Sequence, residues 1–159
     1  MKCSTIARTF TIAAVTVLAL GIAPTAKAGD KGCSNGSLNG TFVYTSTGFI
    51  TAPPDLAGPV AEVGTQTFDG KGATNATATL SQNGTIYSPV TITGTYKVNP
   101  DCTGTMTLQV SIPGIQAFPL HVLFVLDDSG NGFQAMETDS GLVVTRIARR
   151  QFAEGDWRQ

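Results

Sequence analysis

The chain has 159 residues, 10 Lys+Arg against 11 Asp+Glu, a single His, and charged residues at only 13%. That length suits one domain with one core. The acidic balance, with no basic stripe through the body of the chain, disfavours a polyanion such as nucleic acid as a partner.

The first segment reads as an export signal. Lys2 and Arg8 give a positive start, Phe10 to Ala23 is a mostly apolar run, and Ala26-Lys27-Ala28 is a small-x-small cleavage site. The run falls short of the ~20 residues a membrane-spanning helix needs, so no stable membrane span is expected after cleavage. The expected organisation is a signal peptide over 1–28 and a single domain over 29–159. Its compartment would be periplasmic or extracellular. Cleavage would remove Lys2, Arg8, Lys27 and Cys3, leaving 7 basic against 11 acidic residues and a net charge of −4. Cys33 and Cys102 are then the two remaining cysteines, and in an exported protein they most simply pair. The loop they close spans about 70 residues, for which chain entropy gives roughly 4 kcal/mol. Two thiols and a distant His121 do not fill a tetrahedral zinc shell, so no metal site is expected.

After an irregular arm over 29–39, strand-forming Thr and Val dominate and turn signals recur. These are Asp69-Gly70, Asn83-Gly84, Asn99-Pro100-Asp101, Pro113-Gly114, Asp128-Ser129-Gly130-Asn131 and Ser140-Gly141. They predict strands at Gly40–Ile50, Val60–Phe68, Ala73–Gln82, Thr85–Val98, Gly104–Ile112, Ile115–Asp127, Phe133–Asp139 and Leu142–Phe152, before a polar tail over 154–159. The segment Thr51–Pro59 carries three prolines, which exclude it from a sheet interior. About eight short antiparallel strands in sequence order predict an all-β meander closing into a small barrel.

Faces follow from the turns, because a two-residue loop sets the register. Met106, Leu108, Val110 and Ile112 alternate onto one side. Treating Pro113-Gly114 as a two-residue turn sets Met106 opposite His121, and so predicts His121, Leu123 and Val125 on the core side. Through Asn83-Gly84, Ile86, Val90, Ile92 and Tyr96 share a face with Asn75, Thr77 and Thr79. Carried back through Asp69–Gly72, that face takes Phe68, Gln66 and Glu62. Across Ser140-Gly141, Ala135 opposes Arg146 and Glu137 opposes Val144, making Glu137 and Arg146 diagonal neighbours. The other side of that hairpin, Met136, Val143 and Ile147, is also apolar, so alternation leaves open which side is internal.

The candidate ligand-binding residues are therefore His121, Glu137, Arg146, Glu62, Gln66 and Tyr96. No catalytic residue is assigned. No G-x-S-x-G elbow, phosphate loop or cofactor motif occurs, and no cofactor is expected. The stretch Asp127–Gly132 matches the first half of a calcium loop, but its twelfth position is Thr138, so it reads as a polar turn. Of four N-x-S/T triplets, those beginning at Asn35, Asn39 and Asn83 read as turn or loop chemistry.

From Val63 to Thr107 the segments GTQTFDGKG, ITGTYKV and NPDCTGT resemble exported bacterial β-barrel proteins that carry no assigned activity. The closing TDSGLVVTRIARRQ is similar to their last hairpin. In architecture the chain resembles calycin-type and allene oxide cyclase-like barrels, which include lipocalin-like carriers and some cyclases or isomerases. The resemblance implies a fold far more than a function. Three classes follow: a non-enzymatic barrel holding a small, mostly apolar ligand; an isomerase or cyclase using groups such as His121, Glu62 or Glu137; and an envelope protein with a filled lumen. An outer-membrane barrel fits poorly, because Thr65, Thr67, Thr105 and Thr107 take the positions that should face lipid. An open apolar lumen would favour the carrier. Convergent, pKa-shifted Glu and His would favour the enzyme.

Overall fold

A computed structural model describes residues 32–127 and 130–151. The expected leader (1–28), the tail (154–159), and Asp128 and Ser129 of the polar turn lie outside the described residues. The eight strands are β1 (Asn39–Ile50), β2 (Gly58–Asp69), β3 (Ala73–Gln82), β4 (Thr85–Val98), β5 (Thr103–Ser111), β6 (Phe118–Leu126), β7 (Gly132–Glu137) and β8 (Leu142–Arg150). Each pairs antiparallel with the next and β8 pairs with β1, so the meander closes into a barrel. Closure leaves no sheet edge with unpaired backbone groups.

Alternate side chains of every strand point into the lumen, and they fill its two ends differently. At the end with the β2–β3, β4–β5 and β6–β7 turns, Phe42, Phe68, Tyr96, Phe124 and Phe133 form a buried aromatic plug. Phe68 is its hub. It meets Phe42, Tyr96 and Phe133 edge-to-face at centroid distances of 5.4, 5.1 and 5.8 Å, the arrangement the ring quadrupoles favour. Gly104 makes room for the plug, because a Cβ there would collide with the Phe124 ring.

The N-terminal arm caps this end. The Cys33–Cys102 disulfide ties it to the β4–β5 turn across 69 residues. Asn35 accepts from the Val98 amide at 2.8 Å. The Tyr96 hydroxyl donates to the Leu38 carbonyl at 2.8 Å. Leu38 is fully buried. The Arg150 guanidinium lies over the Phe42 ring and donates to the carbonyls of Ser37, Asn39 and Gly130. The arm's backbone acceptors are thereby satisfied next to an apolar core.

Three register expectations are overturned. The β5–β6 connection is a six-residue loop over 112–117, not a two-residue turn. Met106 therefore opposes Val122 rather than His121. One residue of slip exchanges the two faces of a strand: Leu120, Val122, Phe124 and Leu126 point inward, and His121, Leu123 and Val125 point outward. The second slip lies in β3 and β4, where a bulge between Ala78 and Leu80 places Ala76 opposite Ile92 and Ala78 opposite Val90. Thr74, Ala76 and Ala78 are thus internal, while Asn75, Thr77 and Ile86 are exposed. The β2–β3 connection is also one residue longer than assumed, with Phe68 opposite Thr74. The β3–β4 and β2–β3 slips cancel, so Phe68, Gln66 and Glu62 do share the inner face with Val90, Ile92 and Tyr96. The last hairpin has the expected register, Ala135 opposite Arg146, and the Arg146 side is internal.

The Asn83-Gly84 hairpin has φ of 49° and 85° at its two central residues, the left-handed pair a type I′ turn requires. A β-branched residue resists that conformation, so Gly84→Val should lower stability by about 1 kcal/mol or more. Chemical denaturation of the two proteins checks this; equal midpoints would contradict it.

Candidate functional site

The end of the barrel opposite the plug is hollow. A cavity of about 300 Å³ opens there, among the β1–β2, β5–β6 and β7–β8 connections. That is the lower end of the range for small-ligand sites, about 300–1,000 Å³, and room for roughly ten water-sized groups at ~30 Å³ each. Its walls are aliphatic, with Val90 and Ile92 of β4, Val110 of β5, Leu120 of β6 and Val144 of β8. The proline-rich loop after β1 forms part of the rim through Ala52, Pro53 and Leu56. It is pinned by Thr51 N–H to the Gly141 carbonyl at 2.7 Å and by the Gln82 side-chain amide to the Leu56 carbonyl at 3.0 Å.

The floor is polar, and Arg146 is its centre. This side chain is only 3% exposed. Its Nε donates to Ser46 Oγ at 3.0 Å, its Nη1 donates to Gln66 Oε1 at 3.3 Å, and its Nη2 lies 3.5 Å from Glu62 Oε2. The guanidinium stacks on the Tyr44 ring, 4.3 Å from its centroid. Nη2 makes no hydrogen bond, so the Glu62 contact is a charge pairing without good donor geometry. The other Glu62 oxygen accepts from the Tyr44 hydroxyl at 2.7 Å. Burial, followed by the neighbouring Glu62 charge, raises the Tyr44 phenol and keeps it protonated. Beneath this layer, Gln66 donates to Thr74 Oγ1 at 3.1 Å.

Glu137, the last residue of β7, lines the same cavity. Among the described residues its carboxyl has no hydrogen-bond partner. Burial pushes it up to about 7; Arg146 pulls it down, and the charges of Glu62 and Asp139 push it further up. It is thus an ionisable group, unheld by hydrogen bonds, that changes charge near neutral pH inside an apolar cup.

The six sequence candidates separate by place. Glu62, Glu137 and Arg146 line the cavity, brought together by β2, β7 and β8. Gln66 supports Arg146 from below. Tyr96 belongs to the aromatic plug, with its hydroxyl turned to the arm. His121 is outside the barrel, with half of its side chain exposed. Its Nδ1–H donates to Asp139 Oδ1 at 2.8 Å, and its backbone N–H donates to the other oxygen at 2.6 Å. These contacts, against the opposing effect of burial, hold the Asp139 carboxyl below its ordinary range. Sequence reasoning missed Tyr44 and Ser46. The alternation Phe42, Tyr44, Ser46 marks them as one face of β1, but only closure of β8 onto β1 brings that face to Arg146, through the Ser46–Arg146 pairing. Comparison with known protein families, with curated proteins and with solved structures finds no match for this chain.

Two outcomes test the floor. Arg146→Met leaves Glu62 buried without its cation, which should cost about 3 kcal/mol or more in denaturation experiments. Because Glu137 titrates near 7 in the folded protein and near 4.5 as a free side chain, folding favours its protonated form. Its effect is absent below pH 4.5, grows as a penalty as pH rises from 4.5 to 7, and is constant above. Glu137→Gln should therefore remove a loss of stability between pH 5 and pH 8; parallel stability–pH curves for the two proteins would contradict the assignment.

Proposed function

We propose that this chain is an exported binding barrel that holds a small, mostly apolar ligand in the open half of its lumen. The observation that carries this reading is the aliphatic cavity standing on a polar floor. Apolar walls supply affinity by removing ligand surface from water, and a few fixed polar groups at the base set its orientation. The Cys33–Cys102 disulfide suits an oxidising compartment, which supports export. The closed eight-stranded meander is consistent with a calycin-like barrel, and a barrel of eight strands can enclose one small ligand. A filled envelope barrel is the poorer reading, because half of the lumen is open.

One observation favours a second reading, an isomerase or cyclase. Glu137 is poised near neutrality within the cavity, as a general acid or base would be. The carrier is preferred because the imidazole such a site would pair with it lies on the outer wall.

Blocking the mouth tests the lumen as the binding place. Leu142 is half-buried on the cavity wall. Leu142→Trp should weaken binding of a polarity-sensitive apolar fluorophore at least about tenfold, since the larger ring takes up cavity volume the ligand needs, while the far-ultraviolet circular dichroism stays unchanged. Undiminished binding would place the ligand elsewhere.

A further inference from the structure

We infer that the ligand of this cavity carries a cationic amine head, seated against Glu137, on an apolar body. The inference rests on the lumen-binding reading above and narrows it to a chemical class.

The first support is the charge balance of the floor. Three charged side chains line the cavity: Glu62, Glu137 and Arg146. Arg146 already shares its charge with Glu62 at 3.5 Å and donates to Ser46 and Gln66 over the face of Tyr44, with Nη2 left as its one unbonded donor. Glu62 is likewise held, by Tyr44 and Arg146. Among the described residues, Glu137 has no hydrogen-bond partner and no ion pair. An uncompensated carboxylate in an apolar cup is unfavourable, and a ligand ammonium relieves it while burying no net charge. A ligand carboxylate would instead place a third anion beside one guanidinium.

The second support is the field at the mouth. Among the described residues, the open half of the barrel carries Asp55, Glu62, Glu137 and Asp139 against Arg146 alone. The plugged half carries Lys71, Lys97, Arg149 and Arg150 against Asp69, Asp101 and Asp127. A cation is drawn to the open end and an anion is turned away from it.

Binding then depends on pH through Glu137. The charged and titratable groups around it are Arg146 from β8, Glu62 from β2, Tyr44 from β1, and Asp139 just beyond its own strand. Facing it across the sheet, β6 offers only Val122 and Leu120 inward, while its His121 is outside and bonded to Asp139. β3, β4 and β5 present Leu80, Val90, Ile92 and Val110 to the cavity. A simple amine titrates near ~10, like lysine, and stays charged from pH 6 to pH 8. Glu137 ionises across that interval, so affinity for an amine should rise about tenfold between those two pH values, in step with the ionised fraction of a group titrating near 7.

A matched eight-carbon series decides the matter by calorimetry: octylamine, 1-octanol and octanoate, each at pH 6, 7 and 8. The expected result is octylamine bound at least about tenfold more tightly than the other two at pH 8, with affinity rising with pH. In Glu137→Gln, octylamine should lose its preference over 1-octanol and its pH dependence. Equal or tighter binding of 1-octanol or octanoate, or an octylamine affinity that falls as pH rises, would overturn the amine head and leave the binding barrel standing. If none of the three binds the wild-type protein at any pH, the lumen-binding reading fails and the amine inference fails with it.

Discussion

The structure turns on one buried guanidinium. Arg146 points into the lumen from β8 and joins β1 through Ser46 and Tyr44, and β2 through Glu62 and Gln66. A charge so placed is costly unless it is paired, and four neighbours from two adjacent strands offset it, Nη2 through the Glu62 charge alone. Because β8 pairs with β1, and β1 with β2, those neighbours exist only in the closed barrel. The arginine therefore couples closure of the sheet to the division of the lumen. Below it the interior is packed with aromatic rings; above it the interior is empty and aliphatic.

That division separates dense packing from open space along the barrel axis. The plugged end holds the edge-to-face aromatics around Phe68, the disulfide and the Arg150 clamp on the arm. Each reduces freedom of the unfolded chain or adds dense contacts, and none leaves space for a ligand. The open end carries the longer connections, where insertions and irregular backbone are tolerated, and these form the rim of the cavity. The cavity sits where packing is incomplete.

Glu137 shows how a site arises from what a network leaves over. Arg146 is shared among Glu62, Ser46, Gln66 and Tyr44, so the second carboxyl gains its attraction only at a distance. Burial then dominates and lifts its titration into the neutral range. His121, the one imidazole, contributes nothing inside. It pairs with Asp139 on the outer wall, where that carboxylate also receives the His121 backbone N–H beyond the end of β7.

Much of the fold was legible in the residues themselves. Strand-forming Thr and Val, turn signals at regular spacing and prolines grouped in one connection determined eight strands, their order and an all-β barrel, because these are local backbone preferences. The alternation of β5 and the tight Ser140-Gly141 turn likewise determined which residues share a face. The sequence alone could not carry parity through loops of uncertain length. Pro113-Gly114 looks like a complete turn, yet the connection runs over 112–117, and this single residue of register moved His121 from the lumen to the surface. At Ala78 and Leu80 a bulge made the same kind of shift, which a second one in the β2–β3 connection cancelled. Which side of the last hairpin is internal was undetermined by pattern, since Met136, Val143 and Ile147 are as apolar as a core face. Tertiary structure decided it, because only the closed barrel sets Ser46, Tyr44, Gln66 and Glu62 around Arg146, and a buried guanidinium goes where its partners are.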